Sequence, residues 1–194
     1  MRDRVIIITG GSSGIGKALA ERFGREGAKL VITGRRKAVL EDAASDLRQL
    51  GIEVIPVVAD ASVEADCANV VDIAIRQYGK IDVLVNNAGI SQRALFEDLQ
   101  LEVFKKIMDV NFYGLVNTTK YALPHILRSK GSIVGISSVN GRRATPARSA
   151  YSASKFAMIG FLESLRSEML DRRAFTCVNC LPWFHSFEHQ AVWH

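Results

Sequence analysis

A three-layer, doubly wound α/β domain, with helices on both faces of a parallel sheet of about six strands, is the fold this sequence predicts. Three features carry that expectation. Short apolar runs alternate with longer helical stretches along the chain. The runs show little polar alternation, as strands do when both faces of their sheet are covered. A glycine-rich turn follows the first run and opens a helix, where such sheets commonly hold a phosphate.

The elements follow in order. Residues 5–9 (Val-Ile-Ile-Ile-Thr) read as the first strand, and Thr9-Gly10-Gly11-Ser12-Ser13-Gly14-Ile15-Gly16 turns into an Ala/Leu-rich helix over 14–27. Strands are expected at 29–33, 53–58, 82–86, 132–137 and 175–181. Helices are expected at 37–50, 64–78, 101–129 and 152–171. Gly24, Gly27, Gly51, Gly79 and Gly131 stand at the helix ends, where a left-handed cap would use them. Strand-helix units of this length take right-handed crossovers. With 194 residues, 48% of them hydrophobic, the chain can bury one sizeable core.

Composition excludes several classes of function. The net charge is +5, but Lys and Arg are spread along the chain without a dense run, so no nucleic-acid partner is expected. No apolar stretch approaches the roughly 20 residues of a membrane helix. The N-terminus passes directly into a strand pattern, so no signal peptide is expected. Three cysteines make no disulfide framework in a chain of this size. A cytoplasmic location follows.

The glycines of the loop let the backbone approach a pyrophosphate at a helix N-terminus. The second strand ends Val31-Ile32-Thr33-Gly34-Arg35-Arg36. An acid at that place would hydrogen-bond the ribose 2′-hydroxyl of NAD, whereas arginine accommodates the 2′-phosphate of NADP. Arg35 and Arg36 therefore favour NADP, against the plainer reading of two surface arginines. Tyr151 and Lys155 are four residues apart in a helix-favouring segment and share one face. Ser138 lies thirteen residues before Tyr151, at the end of an apolar run. Behind a nucleotide loop, a strand-end serine facing a Tyr-Lys pair is a device for proton transfer to a carbonyl oxygen. Phenols are ordinarily too weakly acidic for that at neutral pH, and a neighbouring ammonium favours the phenolate. Arg142, Arg143 and Arg148 between them read as exposed loop charges, with an acidic substrate as the alternative.

Together these residues resemble the short-chain dehydrogenase/reductase family, over about residues 4 to 171. The resemblance rests on Thr9 to Gly16, on Asn86-Asn87-Ala88-Gly89, on Asn111 in Val110-Asn-Phe-Tyr-Gly, and on Ser138 with Tyr151-Ser-Ala-Ser-Lys155. Arg93-Ala-Leu-Phe-Glu-Asp-Leu and Met108-Asp-Val-Asn-Phe look closest to its hydroxysteroid dehydrogenase-like, NADP-dependent branch. The family implies a Rossmann-like fold and hydride transfer between NADP(H) and a carbonyl or hydroxyl group of a small or lipophilic substrate. It implies Asn111, Ser138, Tyr151 and Lys155 as the catalytic set, with Tyr151 as proton donor or acceptor. Asn111 would brace a bend in its helix and hold a water linked to Lys155. The cofactor would lie against Gly10, Ser12, Ser13, Gly14, Ile15, Gly16, Arg35, Arg36, Asp60, Asn87, Ala88, Gly89, Tyr151 and Lys155, with Asp60 at the adenine. No metal is implied, and family members usually pair as homodimers through helices at 101–129 and 150–171.

The tail departs from this pattern. The family follows the sixth strand with a Pro-Gly turn, lid helices and a seventh strand, whereas here Pro182 precedes Trp183 and twelve residues end the chain. Residues 1–171 are thus expected to form the dinucleotide-binding and catalytic domain, and 172–194 an atypical tail without the last strand and the lid. Trp183 and Phe184 read one base out of register give a glycine codon, and Leu181-Pro182 can give Cys-Pro. The tail therefore reads as a frameshift product, which a coding sequence lacking an open Cys-Pro-Gly frame would overturn. Cys177, Cys180, His185, His189 and His194 do not match the usual spacing of a zinc site. The competing reading is a catalytically silent, truncated NADP-binding remnant.

Overall fold

The computed structural model describes residues 1–169 and the backbone of 176–180. Strands β1 (Val5–Ile8), β2 (Lys29–Gly34), β3 (Val54–Val58), β4 (Val83–Asn86), β5 (Ser132–Ile136) and β6 (Thr176–Cys180) form one sheet in the order β3-β2-β1-β4-β5-β6. Every neighbouring pair is parallel. Helices α1 (Gly14–Arg25), α2 (Lys37–Gln49), α3 (Glu64–Tyr78), α4 (Leu101–Met108), α5 (Gly114–Ser129) and α6 (Ser149–Glu168) complete the described chain. The tail residues 170–175 and 181–194 lie outside the described residues, so the frameshift reading and the histidines of the tail fall there too.

Strand β1 shows why both faces must be covered. Its residues alternate by a period of two: Ile6 and Ile8 pack with Ala20, Leu40, Ala44 and Leu47 of α1 and α2. Ile7 points the other way, into Val71, Ala74, Leu115, Ile126 and Leu162 of α3, α5 and α6. All three isoleucines are fully buried. The order reverses between β1 and β4, and in sheets of this kind ligands bind outside the carboxyl ends of the strands at that point.

Three expectations need correction. The helix read across 101–129 is two helices joined by a π-helical turn at Asp109–Tyr113. Periodicity alone does not show an extra residue in a turn, and this turn carries a buried polar residue, Asn111. The last helix begins at Ser149, three residues before the expected start. Gly27, Gly51 and Gly79 do take left-handed backbones, but Gly24 and Gly131 do not. A Cβ on Gly24 would sit 2.3 Å from Ile52, and one on Gly131 would sit 2.2 Å from the Asp82 carbonyl oxygen. Close approach fixes those two, while Lys130 supplies the left-handed cap of α5.

Candidate active site

The phosphate loop is held from both sides. Gly11 donates its N–H to the Thr33 carbonyl at 2.9 Å, at the end of β2. From just past β4, Asn87 Nδ2 donates to the carbonyls of Thr9 (2.9 Å) and Gly10 (3.0 Å). The Thr9 hydroxyl oxygen accepts from the N–H groups of Asn87 and Ala88, each at 3.0 Å. A Cβ on Gly16 would fall 2.3 Å from the Gly10 carbonyl oxygen, so only glycine lets α1 start this close to the turn. Asn87 and Ala88 thus shape the loop, and Gly89 lies farther along, over the buried end of Lys155.

The start of α1 suits an anion. Its N-cap, Ser13, makes no side-chain capping bond, and the first turn carries no acidic residue. The first N–H groups of a helix have no intrahelical acceptor. Nothing lies within 4 Å of a Cβ built on Gly14, so space adjoins those donors. Uncapped donors, absent acids and open space fit a pyrophosphate. At the end of β2, Ser12 Oγ is 3.0 Å from a Cβ built on Gly34, which places Ser12 against the residue that precedes Arg35. Both arginines are exposed, and Arg35 Nη1 stands 3.8 Å from Asp60 Oδ2. Burial pushes the Asp60 carboxyl up, but the Ser62 N–H (2.9 Å), the Ser62 hydroxyl (2.7 Å) and Arg35 outweigh it and hold it below the usual range.

At the other end of the site, α6 carries Tyr151 and Lys155. Lys155 is 4% exposed and has no carboxylate partner among the described residues. Its Nζ donates to the Ile136 carbonyl at 2.7 Å and lies 5.7 Å from the centre of the Tyr151 ring. Burial pushes its pKa down from an ordinary 10.5 to about 8. A Cβ on Gly89 would be 3.7 Å from that nitrogen and 3.3 Å from Asn111 Oδ1, so the strand-end glycine, the asparagine and the lysine converge. Asn111 is fully buried and paired within the protein. Its Oδ1 accepts from the Ile90 N–H (2.7 Å), and Nδ2 donates to the Ile90 carbonyl (2.9 Å) and to Ser154 Oγ (2.9 Å). The π-helical turn places it where it can clamp the loop after β4 to α6.

Ser138 caps the short turn after β5 by accepting the Asn140 N–H at 3.2 Å, which leaves its hydroxyl hydrogen free to donate. Asn140 Nδ2 reaches Ser152 Oγ at 3.4 Å, tying Ser138 to the residue beside Tyr151. Sequence reasoning missed Asn140, Ser154 and Gln92, whose Oε1 accepts the Tyr151 N–H at 3.2 Å. All three stand next to motif residues, the only signal they gave. Arg142 and Arg143 are exposed as expected, but Arg148 is half-buried, with its guanidinium carbon 6.0 Å from the Tyr151 ring centre.

Known proteins are similar to this chain. A family model for short chain dehydrogenases matches residues 4–185. The 11-beta-hydroxysteroid dehydrogenase-like 2 protein of Arabidopsis thaliana is 45% identical over 168 residues, which are 86% of this chain and 54% of that protein. For the 11-beta-hydroxysteroid dehydrogenase A of Sesamum indicum the identity is 42% over 167 residues, 85% of this chain and 48% of that one. The chain therefore spans about half the length of these curated relatives. A crystal structure of a short chain dehydrogenase/reductase from Burkholderia phymatum in complex with NAD superposes with a TM-score of 0.90 at 29% identity, covering 93% of this chain and 66% of that one.

Proposed function

The chain belongs to the short chain dehydrogenase family, and from that premise we propose that it is an NADP-dependent oxidoreductase acting on a carbonyl or hydroxyl group. The observation that carries this reading is the buried Lys155 ammonium 5.7 Å from the ring of Tyr151, beside Gly89 and Asn111. When bound, the reduced cofactor supplies a hydride to the carbonyl carbon.

The chain's own groups do the rest. The α1 N-terminus with Gly14, Ile15 and Gly16 would hold the pyrophosphate, and Asn87, Ala88 and Gly89 would line the way to the catalytic end. Asp60 would lie at the adenine side. Lys155 donates one N–H to Ile136 and has others left for the nicotinamide ribose and the Tyr151 hydroxyl. Tyr151 gives its proton to the substrate oxygen in reduction and takes it back in oxidation. Ser138 aims its free hydroxyl hydrogen where negative charge develops on that oxygen. Asn111 is a positioning residue here, since its amide is spent on Ile90 and Ser154.

NADP rather than NAD is favoured by Gly34 followed by Arg35 and Arg36, with Ser12 against Gly34. Replacing both arginines with alanine is expected to weaken NADPH by about tenfold or more and NADH far less, because one charge-assisted contact is worth about that factor. Cofactor fluorescence titration measures it. Equal wild-type affinity for NADH and NADPH would remove the NADP assignment.

The enzyme reading is tested by following NADPH oxidation on a panel of ketones. Turnover supports it; NADPH binding without turnover of any of them leaves a silent nucleotide binder. The setting proposed is cytoplasmic, with no helix among the described residues long and apolar enough to cross a membrane. A homodimer through 101–129 and 150–171 would cover Leu101, Tyr113, Tyr121 and Phe156, all exposed in the isolated chain.

A further inference from the structure

Arg148 stands apart from the other arginines of its loop. Three contacts fix the segment around it against the loop after β4: its Nη1 donates to Ser91 Oγ, Ala94 donates its N–H to the Ala147 carbonyl (3.2 Å), and Gln92 accepts the Tyr151 N–H. Ala147 takes a left-handed backbone, φ 59°, uncommon for a residue with a Cβ. Such strain persists only where neighbouring structure over-determines it. The guanidinium it sets in place lies over the Tyr151 ring, as Lys155 does, so two cations attend one phenol.

These two cations differ in what remains for them to do. Lys155 is buried and addresses the Ile136 carbonyl and the cofactor side. Arg148 is half-buried and forms no ion pair among the described residues, and one N–H on Ser91 leaves most of its donor fork unused. Beside it, Gln92 is 8% exposed and its Nε2 has no acceptor; the Ser149 hydroxyl, at the start of α6, also lacks a partner. The first turn of α6 carries no acidic residue. Donors and positive charge thus gather on one side of the catalytic tyrosine, with no anion among the described residues to answer them.

We propose that Arg148 anchors an oxyanion on the substrate, a carboxylate or phosphate a few bonds from the reacting carbonyl, with Gln92 and Ser91 holding the anchor beside Tyr151. This rests on the reductase reading and narrows its substrate to acidic ketones or hydroxy acids. A planar fork suits both carboxylate and phosphate.

Matched pairs test it: acetoacetate against ethyl acetoacetate, and dihydroxyacetone phosphate against dihydroxyacetone. For each pair, kcat/KM is measured with NADPH, and affinity is measured by calorimetry on the NADPH complex. The anion of at least one pair is expected to be preferred by tenfold or more. The pair that shows it tells carboxylate from phosphate. Arg148→Met, which keeps an apolar stem over the ring, is expected to remove that preference, and Arg148→Lys to retain part of it. A merely structural arginine would lower both members of a pair alike. Turnover without preference for either anion overturns the anchor and leaves the reductase standing. Preferred binding of an anion without turnover keeps the anchor and overturns the reductase. Neither binding nor turnover of any compound overturns both.

Discussion

Tyr151→Phe is expected to lower kcat by about a thousandfold while NADPH affinity stays within about twofold of the wild type, since a positioned proton donor contributes roughly two to four powers of ten. The variant changes little else. The Tyr151 backbone is fixed by Gln92 at its N–H and by Ser154 at its carbonyl, and neither bond involves the phenol. The hydroxyl has no partner among the described residues, so its removal orphans no buried group. The ring remains within about 6 Å of Lys155 and Arg148, and phenylalanine keeps the attraction of both cations for it. Single-turnover rates with a responsive ketone, alongside a fluorescence titration of NADPH, separate the two effects. A kcat within tenfold of the wild type would mean that the proton comes from another group.

Lys155→Met is expected to remove activity to a similar degree and, unusually for a core substitution, to stabilise the chain at neutral pH. Moving an ammonium pKa from 10.5 to about 8 by burial costs on the order of 3 kcal/mol. Below pH 8 the lysine is charged in both the folded and the unfolded chain, and the folded state carries the full cost. Between pH 8 and 10.5 the unfolded chain binds more protons, so wild-type stability climbs with pH. Above 10.5 both states are neutral and the cost is gone. Methionine fills similar volume without charge, and losing the bond to Ile136 offsets about 1 kcal/mol of the gain. The variant's advantage at pH 7, read from urea unfolding, should therefore shrink steadily towards pH 10.5. A wild-type chain that is the more stable at pH 7 would show that the amine is not held at such expense.

That cost explains why the lysine belongs to the site. A buried cation without a carboxylate near it destabilises the fold. It is tolerable when its charge is directed at bound groups, which under the proposed function would be a phenol and a cofactor ribose. The same reasoning separates Arg148 from Arg142 and Arg143. The latter pair faces water, whereas Arg148 is held by a left-handed alanine and by Ser91 near the Tyr151 ring.

Much of this was legible in the residues. Unbroken apolar runs require a sheet covered on both sides, and Ile6, Ile7 and Ile8 meet that requirement on alternate faces. The order of the elements and the parallel pairing follow from strand-helix repetition. Asn111 and Lys155 come from two separate motifs, and both lie by Gly89. What periodicity missed was the π-helical turn, because a single added residue perturbs a helical pattern less than ordinary variation in side chains does. Gly131 shows the complementary limit. A glycine after a helix reads as a left-handed cap, yet here it yields room to Asp82, a residue 49 positions earlier, while Lys130 turns the chain.

Sequence by itself determined the class of fold and the family, and it named the candidate residues for a dinucleotide and a proton, because each depends on local periodicity or on spacing within one segment. Only the tertiary structure decided which arginine of the loop lies by the Tyr151 ring, that Asn111 clamps Ile90 and Ser154, and that burial lowers the basicity of the Lys155 amine. Those properties arise from contacts between segments tens of residues apart and from exclusion of water, and neither is written in any one stretch of chain.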